Sequence, residues 1–144
     1  MRIEIAKGFR KNQRGIIRAA LVVAAANFPM PPRVTVRRMP KFLWAHPETG
    51  LPQTDGLIWP DKPREMLIAP HLKDADLFFA VSHEARHVSD AYTGKLEARD
   101  GRNFWNGRKV DGRTAYHKLP YEKTAIAYEK RLGAPYTRGK PKRK

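Results

Sequence analysis

The chain has no cysteine. Disulfides and thiolate ligands are therefore excluded, and any metal must be held by His, Asp or Glu. The absence fits a reducing compartment, so the expected location is cytoplasmic. Long apolar runs are also missing. A membrane span needs roughly 18 or more consecutive apolar residues, and the longest run is AALVVAAANF, Ala19–Phe28. A basic segment precedes it, as in a signal peptide, but its charges are widely spread and Asn27 and Pro29 follow the run. A helix packed on the core is the better expectation, with no membrane span.

Acidic residues are scarce. Only 14 Asp and Glu stand against 29 Lys and Arg, a formal net charge of +15. The excess is partly local. TRGKPKRK at the C-terminus reads as a disordered basic tail over 138–144, and Arg138, Lys140, Lys142, Arg143 and Lys144 are its candidate nucleic-acid contacts. Met1–Arg18 holds six basic residues and one acid. Such charge holds nucleic acid non-specifically by counterion release, or simply keeps the chain soluble.

The 144 residues are the size of one domain, and 14 aromatics are enough to anchor a core. Residues 1–137 are expected to form that domain. EIAKGF suggests a short strand. Ile16, Ile17, Ala20, Leu21, Val23 and Ala24 recur at helical spacing, predicting a basic helix over 11–28 that NFPMPP stops. RVTVRRM alternates as a strand, and GLIWP and EMLIAP read as a hairpin around DKPR. A helix is expected over 74–93, opened by Asp74 or Asp76 as cap and closed by Gly94. EARDGRNFWNGRKVDGRTAYHK reads as a long loop with a short hairpin, and a final helix follows over 121–132. The class is α+β, a short sheet covering the helices.

The second helix carries HEARH, His83 to His87. Residues i and i+4 share a helix face, so both imidazoles can point at one ion. Glu84 is offset by about 100°. It can reach a water on the metal rather than the metal itself, and take that water's proton as general base. The competing reading is an ordinary amphipathic helix with two histidines. Catalytic Zn2+ usually takes three protein groups. Asp90, one turn after His87, suits a hydrogen bond to a ring N–H better than ligation. Glu97 and His117 are weaker candidates. Glu122 is the favoured third ligand: Pro120 opens its helix, and Ala125 lets that helix approach closely. Glu129 shares the face and can support a ligand. An acid in a first helical turn also has an ordinary explanation in the helix dipole. Tyr116 is chosen over His117 and Tyr92 as the donor to a developing oxyanion.

HEARHVSD followed by LPYEKTAIAYE resembles small gluzincin-type zinc metallopeptidases, with an HExxH helix and a later Glu-x-x-Ala helix. The layout is most similar to uncharacterised metallopeptidase-like proteins of phage and prophage genomes. In those a Trp-x-Gly-Lys/Arg stretch follows the motif, as FWNGRKV does here. The resemblance covers about Met66 to Leu132. It implies a minimal zincin-like domain, with His83, His87 and Glu122 as Zn2+ ligands and Glu84 as the base of a peptidase. Tyr121 departs from it, because Trp is commoner there. The expected partner is a protein or peptide substrate. The alternative is a basic nucleic-acid-associated module in which a metal is structural or vestigial.

Overall fold

The computed structural model describes residues 1–135; the expected basic tail lies outside them. The described chain is a mixed α+β domain. Strand β1 (Arg2–Ile5) leads into helix α1 (Lys11–Asn27), then β2 (Arg33–Arg38) and a short helix α2 (Lys41–Trp44). Strands β3 (Gly56–Leu57) and β4 (Glu65–Ile68) precede helix α3 (Asp74–Tyr92). Strands β5 (Leu96–Arg99), β6 (Arg102–Trp105) and β7 (Arg108–Lys109), a 3-10 turn (Tyr116–Lys118) and helix α4 (Pro120–Arg131) complete it.

The larger sheet runs β1-β2-β4-β3, with β1, β2 and β4 parallel and β3 antiparallel at the edge. Val34 and Val36 point inward from β2 and Met66 and Ile68 from β4, all at 0% exposure. These residues meet Ile17, Leu21 and Ala24 of α1 and Leu77, Val81 and Val88 of α3 in one core. Gln13 is a buried polar group with its partners accounted for. Its Oε1 accepts from Arg10 N–H (2.8 Å), and its Nε2 donates to Pro70 O (3.0 Å) and Leu72 O (2.8 Å). That ties the start of α1 to the approach of α3. No helix among the described residues is long and apolar enough to cross a membrane.

The three expected helices are present, each end within a residue of its expected place. The expected hairpin is the β3–β4 pair. Two local readings need correction. Neither Asp74 nor Asp76 caps α3: the cap position is Lys73, with no side-chain cap bond, and both acids lie in the first turn, where the helix dipole favours them. Asp74 takes a positive φ of 51°, which Asp tolerates better than most residues. The region read as a long loop with a short hairpin forms instead, as far as Lys109, a three-stranded antiparallel sheet, β5-β6-β7. Its two turns are Asp100-Gly101 and Asn106-Gly107, all four residues at positive φ. That conformation matches the twist of antiparallel strands, so these dipeptides connect β5 to β6 and β6 to β7 tightly. At the other end of α3 the expectation holds: Gly94 follows the helix at φ 82° and its N–H donates to Ala91 O (3.3 Å).

Candidate metal centre

Helix α3 is buried on nearly every side. From Phe79 to Asp90 every residue except Arg86 is buried. The apolar face, Val81, Ala85 and Val88, belongs to the main core. The opposite face carries His83 and His87 toward α4. Pro120 occupies the first turn of α4, as the pyrrolidine's fixed φ permits. Ala125, at 0% exposure, leaves space between the two helices.

Across that seam, Nε2 of His83 and Nε2 of His87 each lie 2.8 Å from the same oxygen, Glu122 Oε1. On its other side His83 Nδ1 donates to Glu129 Oε2 at 2.9 Å, with both side chains 1% exposed. A carboxylate oxygen can only accept, so each of these contacts requires a proton on the facing ring nitrogen. Burial alone would lower the His83 pKa, but the hydrogen bonds to Glu122 and Glu129 raise it to about 10. Burial alone would likewise raise Glu122, but the two histidines hold its carboxyl well below the usual range.

Glu84 is 8% exposed, and ligand atoms of His83, Glu84 and His87 all lie within 4.8 Å of one another. This buried group could hold a metal ion. Around a tetrahedral ion with bonds of ~2.0–2.1 Å, ligand atoms stand about 3.3 Å apart. Each imidazole nitrogen would need to move away from Glu122 Oε1 by only about half an ångström to reach that spacing. The donor set of two nitrogens and a carboxylate oxygen suits Zn2+. Glu129 holds a proton on His83 Nδ1, which would leave Nε2 to face an ion. His87 has no such brace: its Nδ1 is buried without a hydrogen-bond partner.

Tyr116 is the candidate oxyanion donor that the fold brings in. Its Oη lies 3.1 Å from His83 Nε2, and the two rings stack with centroids 6.5 Å apart. Burial, then the charges of Glu122 and Glu84, push its phenol far above the ordinary value, so it remains a donor. Tyr92 is 45% exposed in the last turn of α3, and Glu97 pairs with Arg99 at 3.8 Å.

Asp90 is buried beside the site, but its oxygens are engaged elsewhere. Oδ1 pairs with Arg86 (3.2 Å) and Oδ2 accepts from Thr124 of α4 (3.1 Å). Burial raises its carboxyl pKa against the pull of Arg86 and Thr124. Asp90 therefore joins α3 to α4 and makes no hydrogen bond to the buried His87 Nδ1.

Two contributors escape a reading of the sequence. Tyr121 packs its ring edge-on to His87 (6.0 Å) and near Trp105 (6.4 Å), and its hydroxyl accepts from Asn103 Nδ2 (3.1 Å). The small sheet is thereby fastened to the end of α4 that carries Glu122. The Asp-Gly and Asn-Gly turn pairs were the signal for that sheet. Beside it lies a half-open cavity of about 670 Å³, walled by Arg102, Lys109, Arg113, Asp111 and Tyr121 among others. The second contributor is Gly56 of β3, whose α-carbon lies against the Glu84 side chain. No local pattern marks it. Comparison with protein-family models, with curated proteins and with solved structures finds no match for this chain.

Proposed function

We propose that the chain is a zinc-dependent peptidase with a minimal zincin-like fold, acting on a protein or peptide amide bond. The observation that carries the reading is the convergence of His83 Nε2 and His87 Nε2 on Glu122 Oε1, each at 2.8 Å, with the Glu84 carboxylate beside them. His83, His87 and Glu122 would hold the ion. When bound, Zn2+ supplies a Lewis acid and a water acidic enough to ionise near neutral pH.

The remaining roles follow from position. With Glu122 closing the ligand set, Glu84 is left to accept a proton from the attacking water and return it to the leaving amine. Tyr116 keeps its phenolic proton and donates to the oxygen that gains charge. Glu129 fixes the His83 ring. Protein purified in zinc should contain one equivalent of metal and hydrolyse a casein or mixed-peptide substrate, both activities disappearing with a chelator and returning with Zn2+. Less than a tenth of an equivalent of zinc would end this reading.

The alternative, a basic module that associates with nucleic acid, draws support from one observation. Arg102 and Lys109 face the cavity and form no ion pair among the described residues, while Arg113 is matched to Asp111 at 3.4 Å. This reading does not require Glu84 to react.

A further inference from the structure

A glycine at position 56 is not explained by its backbone. Gly8, Gly50, Gly94, Gly101, Gly107 and Gly133 adopt positive φ, but Gly56 does not. It sits in strand β3, where a residue with a side chain would ordinarily serve better. The explanation is space. A β-carbon on Gly56 would stand 2.6 Å from Glu84 Cγ, 3.1 Å from Cδ and 3.2 Å from Oε2. Non-bonded carbons settle at about 3.5–4.0 Å.

Neither partner can easily withdraw. Gly56 and Leu57 pair with Ile68 and Leu67 of β4, and Asp55 O accepts from Ala69 N–H at 2.8 Å, so β3 is pinned on both sides of the glycine. Glu84 is rooted in α3 between Val81 and Ala85, both at 0% exposure. Its crowded atom is Cγ, in the middle of the side chain, so turning the carboxylate alone does not relieve the contact.

We propose that Gly56 is a positioning residue for Glu84: its missing side chain leaves the slot that keeps the Glu84 carboxylate beside His83 and His87. Any larger residue at 56 drives the carboxylate out of place while leaving the histidines and Glu122 where they are. The functional half of this inference rests on the proposed role of Glu84 as base; the spatial half does not.

The test is a double-mutant cycle of wild type, Gly56→Ala, Glu84→Ala and the double variant, read first by thermal melting. Gly56→Ala should lower the Tm of the wild-type chain by several degrees. On Glu84→Ala, where Cγ is gone, the same change should be silent or slightly stabilising. An equal cost in both backgrounds overturns the proposal, as does a double variant that fails to fold when Glu84→Ala alone folds. Should Gly56→Ala not fold, recovery by the double variant still supports it. The second readout is function. Gly56→Ala should keep a full equivalent of zinc and an unchanged KM while kcat falls by roughly 100-fold, as a misplacement of about 1 Å can cause, and the acidic limb of its pH profile should move. Retained kcat in a coupled Tm cycle would also overturn the positioning role. Loss of the peptidase reading would show differently, as absent zinc or an active Glu84→Gln protein.

Discussion

Glu129 and His83 form a buried pair, Oε2 to Nδ1 at 2.9 Å, with both side chains 1% exposed. The carboxylate engages one His83 nitrogen and, under the proposed zinc site, would leave the other to the ion on the far side of the ring. Glu129→Gln should therefore keep the fold and reduce zinc affinity by 10–100-fold, the usual loss when such a brace is weakened. Competition against a fluorescent chelator measures it. An unchanged affinity would mean that the ring is oriented by packing alone.

Glu84→Gln separates base from ligand. Hydrolysis should fall below detection while bound zinc stays at one equivalent, because the side chain acts on the water. Were this variant to lose metal as fully as His83→Ala, Glu84 would belong to the ligand set and Glu122 would need another role.

Glu122→Ala and Asp90→Asn lie close together but should differ sharply. Glu122 faces both imidazoles at 2.8 Å, whereas Asp90 serves Arg86 and Thr124. The first change should lower zinc affinity by more than the 100-fold upper range of an outer contact. The second should act on stability, because it weakens the ion pair between the buried Asp90 and the half-buried Arg86. Zinc titration and thermal melting of the two proteins, side by side, test the distinction.

Metal-free stability and the increment that zinc adds to it should respond to pH in opposite directions. His83 is raised from 6.5 to about 10 in the folded chain. Its contribution to metal-free stability is fully present below pH 6.5 and is lost as pH rises through 10. Glu122 is lowered, so its contribution is present above its ordinary value of 4.5 and is lost as pH falls. Melting in a chelator should thus be highest between about pH 4.5 and 6.5 and decline toward pH 10. The increment produced by zinc should grow over the same alkaline range, because the ion replaces a proton on the His83 ring. A zinc increment that does not change with pH would contradict the ligand assignment.

The charge excess gives a separate prediction. Removing residues 138–144 should weaken binding to a DNA or RNA oligonucleotide and flatten its salt dependence. Changing Arg102 and Lys109 to Gln should do so further if the cavity takes part. Equal affinity and equal salt slope in all three proteins would assign the charge to solubility.

Much of this centre was legible because its parts lie at short range. His83, Glu84 and His87 fall on one helix at a spacing that forces their geometry. Glu122 and Glu129 were legible less directly, through Pro120 and Ala125, which say where a second helix starts and how near it can come. Asp90 shows the limit. Its place next to the site followed from the helix, but which groups its oxygens meet depended on Thr124, thirty-four residues away. Gly56 was invisible for the same reason: only the packing of β3 on α3 gives it a neighbour. The second sheet is different, since its Asp-Gly and Asn-Gly turns were present in the sequence and were outweighed by the polarity of the surrounding residues.

The contacts between α3 and α4 also have a meaning for the chain as a polymer. His87 and Glu122 are 35 residues apart, and His83 and Glu129 are 46 apart. Between them runs the whole β5-β6-β7 segment, which has little core of its own beyond Leu96. Drawing the ends of such a loop together costs about 3 kcal/mol in entropy before anything is gained. Two histidines and two glutamates thus work as a clasp on an otherwise lightly held excursion. Opening the clasp should release that segment as a unit, so amide exchange in 95–119 should report the state of the site from a distance.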